Sequence, residues 1–132
     1  MVKKLFWFWL IVLIVVNLIP LGNGANQSLS RNKVFVFRLD YLAHLNMILC
    51  FAWIWVLGKI KHVKWFVKYV VLKYSMVVLC ASVCLELLQL LVPWRSFNPV
   101  DMGYNLLGGC LVVGVILVSR RLVQIKSADL HY

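Results

Sequence analysis

The sequence predicts an all-α, polytopic membrane protein: a four-transmembrane-helix bundle with both termini cytoplasmic. Three observations lead there. Of 132 residues, 64% are apolar and only 14% charged, with a mean hydropathy of +0.91; a soluble domain this short has too much surface for its volume to hide that much apolar area. The apolar residues fall into long runs near the roughly 20 helical residues that cross a hydrocarbon core about 30 Å thick. The basic residues then gather on one side of the membrane those runs imply. Strands are a poor alternative, because the runs show no in/out alternation and are too few for a closed barrel.

The expected spans are residues 5–21, 40–57, 69–92 and 105–119, forming one domain over 1–132 with no long repeat and no low-complexity tract. The first run has "MVKK" before it and "GNGA" after it, as a signal peptide would. Its apolar stretch exceeds the usual signal core of about 7–15 residues, so a retained span is expected. The second opens with Asp40 at its outer end. Pro93 stops the third, since proline lacks the donor to continue a helix. "NPVD" is a turn into the fourth, with Asp101 near its N-terminus, where the helix dipole favours negative charge.

Lysine and arginine total 14 against 4 acids, a net charge of +10. Lys3, Lys4, Lys59, Lys61, Lys64, Lys68, Arg120, Arg121 and Lys126 fall on one side, joined by Lys73 through snorkelling. The other side holds Arg31, Lys33, Arg38 and Arg95. The positive-inside rule makes the first side cytoplasmic and turns the loops around 22–39 and 93–104 outward. Anionic lipid headgroups suffice as partners for the lysines. A nucleic-acid partner would need a basic folded surface, which this chain lacks. Trp7, Trp9, Trp53, Trp55, Trp65, Trp94 and Tyr104 flank the spans as interface anchors.

Cys50, Cys80, Cys84 and Cys110 lie inside expected spans, where a thiol behaves as a small apolar group. Cys80 and Cys84 share a helix face but lack a convincing third ligand, so no metal site and no cofactor are expected.

The polar residues are more informative. Asp40 and His44 lie one turn apart on the second span, and Glu86 and Gln89 share a face near the outer end of the third. Arg95 follows in the outer loop; Asp101 and Asn105 open the fourth span. All map to the outward half of the membrane, where chance would scatter them over both leaflets. An intramembrane Asp, Glu or Arg costs about 2.5–3.5 kcal/mol on insertion scales, so these groups should face the bundle interior and be paired or protonated. Arg95 is placed to reach Glu86, with Asp40 or Asp101 sharing its guanidinium. Gly108 and Gly109 let the fourth helix approach a neighbour closely and bring Asn105 within bonding range of it.

Two blocks, "RLDYLAHLNMILCFAWIW" (38–55) and "CLELLQLLVPWRSFNPVDMGYNLLGGCLVVG" (84–114), resemble the VanZ-like family of small bacterial membrane proteins. The ordered pattern is Asp40 and His44; Glu86 and Gln89; Pro93 and Arg95; then Asp101, Asn105 and Gly108 or Gly109. This chain has Tyr41 where the family commonly carries a lysine, with Arg38 nearby. The resemblance implies a multi-pass protein of the bacterial plasma membrane, and its founding members are linked to low-level teicoplanin resistance. That phenotype points to envelope lipids, lipid-linked wall precursors or a lipoglycopeptide as ligand.

Each residue has a functional and a structural reading. His44 serves acid–base work oriented by Asp40, or Asp40 caps a helix beside an interfacial histidine. Glu86 takes a proton or binds ligand, or forms with Gln89 an interhelical clasp worth on the order of 1 kcal/mol. Arg95 clamps phosphate or carboxylate, or pairs internally. Asp101 and Asn105 bind ligand, or set the start and packing of the fourth helix. Three functions follow: a binder of an envelope amphiphile's head group through Asp40, His44, Glu86, Gln89, Arg95, Asp101 and Asn105; an intramembrane enzyme on a lipid-linked phosphate, with His44 and Glu86 as catalytic candidates; or a structural protein. The first is the expectation carried forward.

Overall fold

The computed structural model describes residues 1–18, 33–34, 37–92 and 97–129, with side chains described except at 33–34, 37–38, 40 and 123–129. Four helices lie among them: α1 (Val2–Leu18), α2 (Leu39–Ile60), α3 (Val70–Gln89) and α4 (Pro99–Asp129). Three carry stretches long and apolar enough to cross a membrane, Tyr41–Ile60, Val70–Gln89 and Pro99–Leu122. α1 has 17 residues, about 25 Å of helix at 1.5 Å per residue, and stands outside that set. The tail of its expected span, 19–21, lies outside the described residues.

A small departure from the all-helical expectation precedes α2. Strands β1 (Lys33–Val34) and β2 (Phe37–Arg38) pair antiparallel, Lys33 opposite Arg38 and Val34 opposite Phe37. The sequence there, "KVFVFR", is rich in β-branched and aromatic residues, which suit a pleated ladder better than an open loop.

α4 is the hub. It packs along both α2 and α3, whereas α2 and α3 scarcely touch, and α1 leans on both from the opposite side. Glycine creates the closeness. A Cβ on Gly108 would lie 3.1 Å from the Ile48 Cβ and 3.2 Å from the Leu45 carbonyl of α2. A Cβ on Gly109 would lie 2.7 Å from the Ser82 Oγ of α3. The two adjacent glycines therefore serve two different helices. The expected close approach is present and doubled.

Each helix buries one stripe. On α3 it is Tyr74, Ser75, Val78, Ala81, Ser82, Leu85, Glu86 and Gln89, the three- and four-residue spacing of one helix face. The opposite faces are apolar as well: Leu72, Met76 and Leu87 on α3, and Leu107, Leu111 and Val118 on α4, are exposed. Exposed leucine and valine around the whole bundle suit lipid as the outer solvent.

The end formed by the start of α1, the end of α2 and the start of α3 is aromatic. Phe6 lies 5.3 Å from Phe51, 5.6 Å from Trp65 and 4.9 Å from Tyr74, ring centroid to centroid. Trp55 Nε1 donates to Ser119 Oγ at 2.9 Å, and the Tyr74 hydroxyl donates to the Phe51 carbonyl at 2.8 Å. Trp55 and Trp65, expected as interface anchors, are buried core residues instead. Gly58 makes room for Trp65, because a Cβ there would run into the indole. Trp7 and Trp53 are exposed, as anchors would be.

The boundaries of α3 and α4 differ from expectation for local reasons. α3 ends at Gln89 rather than near 92. Leu90, Leu91 and Val92 N–H donate to the carbonyls of Leu87, Leu88 and Gln89, a tightened three-residue pattern that closes a helix end just before Pro93, which disfavours helical geometry in the residue preceding it. α4 starts at Pro99 rather than 105. The Asn98 side-chain oxygen accepts the Val100 N–H at 3.0 Å, so Asn98 is the cap and Pro99 takes the first helical position, where its missing donor is no loss.

Candidate functional site

At the other end of the bundle, the polar residues of α1, α2, α3 and α4 converge. Glu86 sits in the last turn of α3 and is fully buried, 0% exposed. Its Oε1 accepts the backbone N–H of Asn98 at 3.1 Å. The carboxylate therefore lies against the N-terminus of α4, where unpaired N–H groups and the helix dipole favour an anion. Glu86 and Asp101 both make further interactions, so neither is a bare buried charge.

His44 on α2 faces Asp101 on α4: Nε2 lies 3.9 Å from Oδ2, with side chains 14% and 13% exposed. That separation is within ion-pair range and too long for a hydrogen bond. The contact is an attraction only when the imidazole is protonated. Beside it Tyr41 stacks on Tyr104, centroids 5.1 Å apart and planes at 14°. Sequence placed His44 with Asp40; the helix backbone includes Asp40, but its side chain lies outside the described residues. Asp101, expected at the helix start, as a partner of Arg95 or as a ligand contact, stands in the first turn of α4 and approaches His44.

Gln89 Nε2 donates to Asn17 Oδ1 at 2.8 Å, and Asn17 Nδ2 donates to its own helix at the Leu13 carbonyl, also 2.8 Å. This ties α3 to α1 through two buried amides. Asn17 escaped the sequence reading. Its one signal is an isolated amide near the outer end of an otherwise apolar run, at the depth of Gln89.

Asn105 behaves differently. It is 2% exposed, and its Nδ2 has no hydrogen-bond acceptor among the described residues. Gly109 meets Ser82 across the α3–α4 contact; one turn outward on each antiparallel helix stand Asn105 and Glu86, at the same level. The Nδ2 donor of Asn105 makes no bond to a neighbouring helix among the described residues. The glycines bring the helices together, and Glu86 stands at the level of the amide, but no acceptor among the described residues is bonded to its Nδ2.

Arg95 lies outside the described residues, and with it the expected reach toward Glu86. The structure thus brings together His44, Glu86, Gln89, Asp101 and Asn105 at one end, and adds Asn17 and Asn98. Among the described residues no three His, Cys, Asp or Glu side chains converge to hold a metal ion. Cys80, Cys84 and Cys110 are exposed on the bundle surface.

Fold and site together define a class: a small helical protein with three membrane-length helices, an aromatic end and a polar end. The chain matches no protein-family model, no curated protein and no solved structure.

Proposed function

We propose that this is a VanZ-like multi-pass protein of the bacterial plasma membrane whose polar end binds the head group of an envelope amphiphile at the outer face. α1 completes a four-span bundle, and both termini are cytoplasmic. The favoured ligand is a lipid-linked wall precursor with an anionic head; binding it, or a lipoglycopeptide of the teicoplanin type, would connect the site to low-level resistance. The distribution of lysines supports this orientation, and the ordered residues in segments 38–55 and 84–114 support the family assignment.

One observation carries the binding reading: the Asn105 amide is buried without an acceptor, level with Glu86 and one turn from the His44–Asp101 pair. Trp65 Nε1 and Ser75 Oγ at the aromatic end are also buried without a partner among the described residues; Asn105 differs in lying among ionisable side chains. Leaving a buried donor unmatched costs about 1–3 kcal/mol, which an acceptor on a ligand recovers. In this reading Asn105 and His44 contact the head group, Arg95 clamps its anionic part, and Glu86 and Asp101 hold the donors in place.

The test is a titration of the purified protein, in lipid nanodiscs, with a polyprenyl-diphosphate-linked wall precursor. Asn105→Ala is expected to weaken binding by about 5- to 100-fold, and Arg95→Ala by at least as much. Wild-type affinity in both variants would reject the site.

A structural reading is favoured by two contacts, Glu86 with the Asn98 N–H and Gln89 with Asn17. In it the polar end only specifies how the helices pack. It requires Glu86→Gln to reduce abundance and function together, whereas the binding reading expects normal abundance with reduced ligand affinity.

A further inference from the structure

The aromatic end carries a second polar feature, built from cations alone. Lys3 near the start of α1, Lys64 in the α2–α3 connection and Lys73 near the start of α3 line one cavity of about 710 Å³, together with Trp65, Phe66, Val67 and Val70. No acidic side chain is among the lining residues. The chain has only 4 acids, Asp40, Glu86, Asp101 and Asp129, and the first three belong to the opposite end. The three lysines come from separate stretches and are exposed around the hollow, giving it a positive potential that attracts an anion.

A second observation points to the same anion. Tyr69, the N-cap of α3, has a left-handed backbone (φ 55) and makes no side-chain capping hydrogen bond. The first N–H groups of α3 therefore lack the acceptor a Ser, Thr, Asp or Asn cap supplies. Val70, the first residue of the helix, lines the cavity. Lys73, one turn in, puts a cation where the dipole disfavours one, a placement that makes sense with a phosphate between them.

The surroundings are those of a bilayer surface. Val67 is 98% exposed and Tyr69 72%, and both are interleaved with Lys64 and Lys68, the mixture of apolar and basic side chains that settles among lipid headgroups.

We propose that this cavity is a binding site for an anionic phospholipid whose head carries two phosphates, a lipid of the cardiolipin class. Three lysines and an uncapped helix N-terminus exceed what one phosphodiester charge neutralises, and the volume lies in the range of about 300–1,000 Å³ typical of small-molecule sites. The apolar wall of Trp65, Phe66, Val67 and Val70 takes the first part of the acyl chains. Basic pockets at the membrane surface hold such heads in this way. The site rests on helices lying in lipid, and not on the polar end being a binding site.

Wild-type protein and variants in nanodiscs of zwitterionic lipid are titrated with cardiolipin or with phosphatidylglycerol at matched charge, and bound lipid is read by native mass spectrometry. Cardiolipin is expected to bind about fivefold or more tighter than phosphatidylglycerol, and Lys3→Ala, Lys64→Ala and Lys73→Ala each to weaken it about fivefold. Lys61→Ala, on the same side but outside the cavity, is expected to have no effect. Asn105→Ala is expected to leave cardiolipin binding intact, which separates this site from the polar end. Equal loss from Lys61→Ala, equal affinity for phosphatidylglycerol, or inorganic pyrophosphate binding as tightly as the lipid would each overturn the proposal.

Discussion

The two ends of the bundle are filled differently, one by rings and the other by amides and ionisable groups. At the aromatic end, Phe6, Phe51, Trp55, Trp65 and Tyr74 fill the interior; the Trp55 and Tyr74 donors reach acceptors at 2.9 and 2.8 Å, while Trp65 Nε1 and Ser75 Oγ have none among the described residues. At the polar end the partners are incompletely matched: His44 stands 3.9 Å from Asp101, and the Asn105 amide has no acceptor among the described residues. Lipid tails are as apolar as leucine, so hydrophobicity adds little to helix association inside a bilayer. Cohesion must come from shape and from polar groups that find partners. The aromatic end relies on shape first, with two of its donors bonded. At the polar end the unmatched donor is an amide among ionisable side chains, which is where a polar head group would have something to gain.

The contrast can be broken first at its strong end. Trp55→Ala removes a fully buried indole and its bond to Ser119, and is expected to destabilise the bundle by about 3 kcal/mol, measured by denaturant unfolding in detergent. A loss no larger than that of an exposed tryptophan such as Trp53→Ala would show that the aromatic end is not the anchor.

The next largest effect belongs to the glycine contact that positions both ends. Gly109→Val forces a side chain into Ser82 and Leu79 and is expected to cost about 2 kcal/mol. Gly114→Val, whose Cβ would meet nothing within 4 Å, is expected to be close to neutral. Equal effects would mean that α4 does not sit on α3 through Gly109.

The smallest effect sharpens the polar end. A double-mutant cycle on Asn17→Ala and Gln89→Ala is expected to give a coupling of about 0.6 kcal/mol, the average for interhelical hydrogen bonds in membranes. No coupling would remove the α1–α3 clasp, and would leave α1 held chiefly by Phe6 and by the Trp9 indole bond to the Met47 carbonyl.

Much of this organisation was legible in the sequence, and the misses share a cause. Length and composition located the helices, and the positions of Glu86, Gln89, Asp101 and Asn105 along them brought those residues to one end. Gly108 and Gly109 announced the close approach. What could not be read was helix rotation. In a soluble helix the polar face reveals the inside by contrast; here both faces are apolar, so Trp55 and Trp65 looked like anchors and Ser82 gave no hint that it meets Gly109. Pairings across helices depend on that rotation, which is why the approach of His44 to Asp101 and the bond between Asn17 and Gln89 could not be read. The helix starts and stops were closer to hand: "NPVD" signals a turn into a helix start, and its Asn98 and Pro99 are the cap and first residue of α4, six residues before the expected span begins.

The most direct test compares stability with binding in one variant, Asn105→Leu, which replaces the unmatched amide with an apolar side chain. If the polar end holds its donor for a ligand, thermal stability in detergent holds or rises while precursor affinity falls at least as far as in Asn105→Ala. If stability and affinity fall together, or affinity does not change, Asn105 is a packing residue and the polar end is not a binding site.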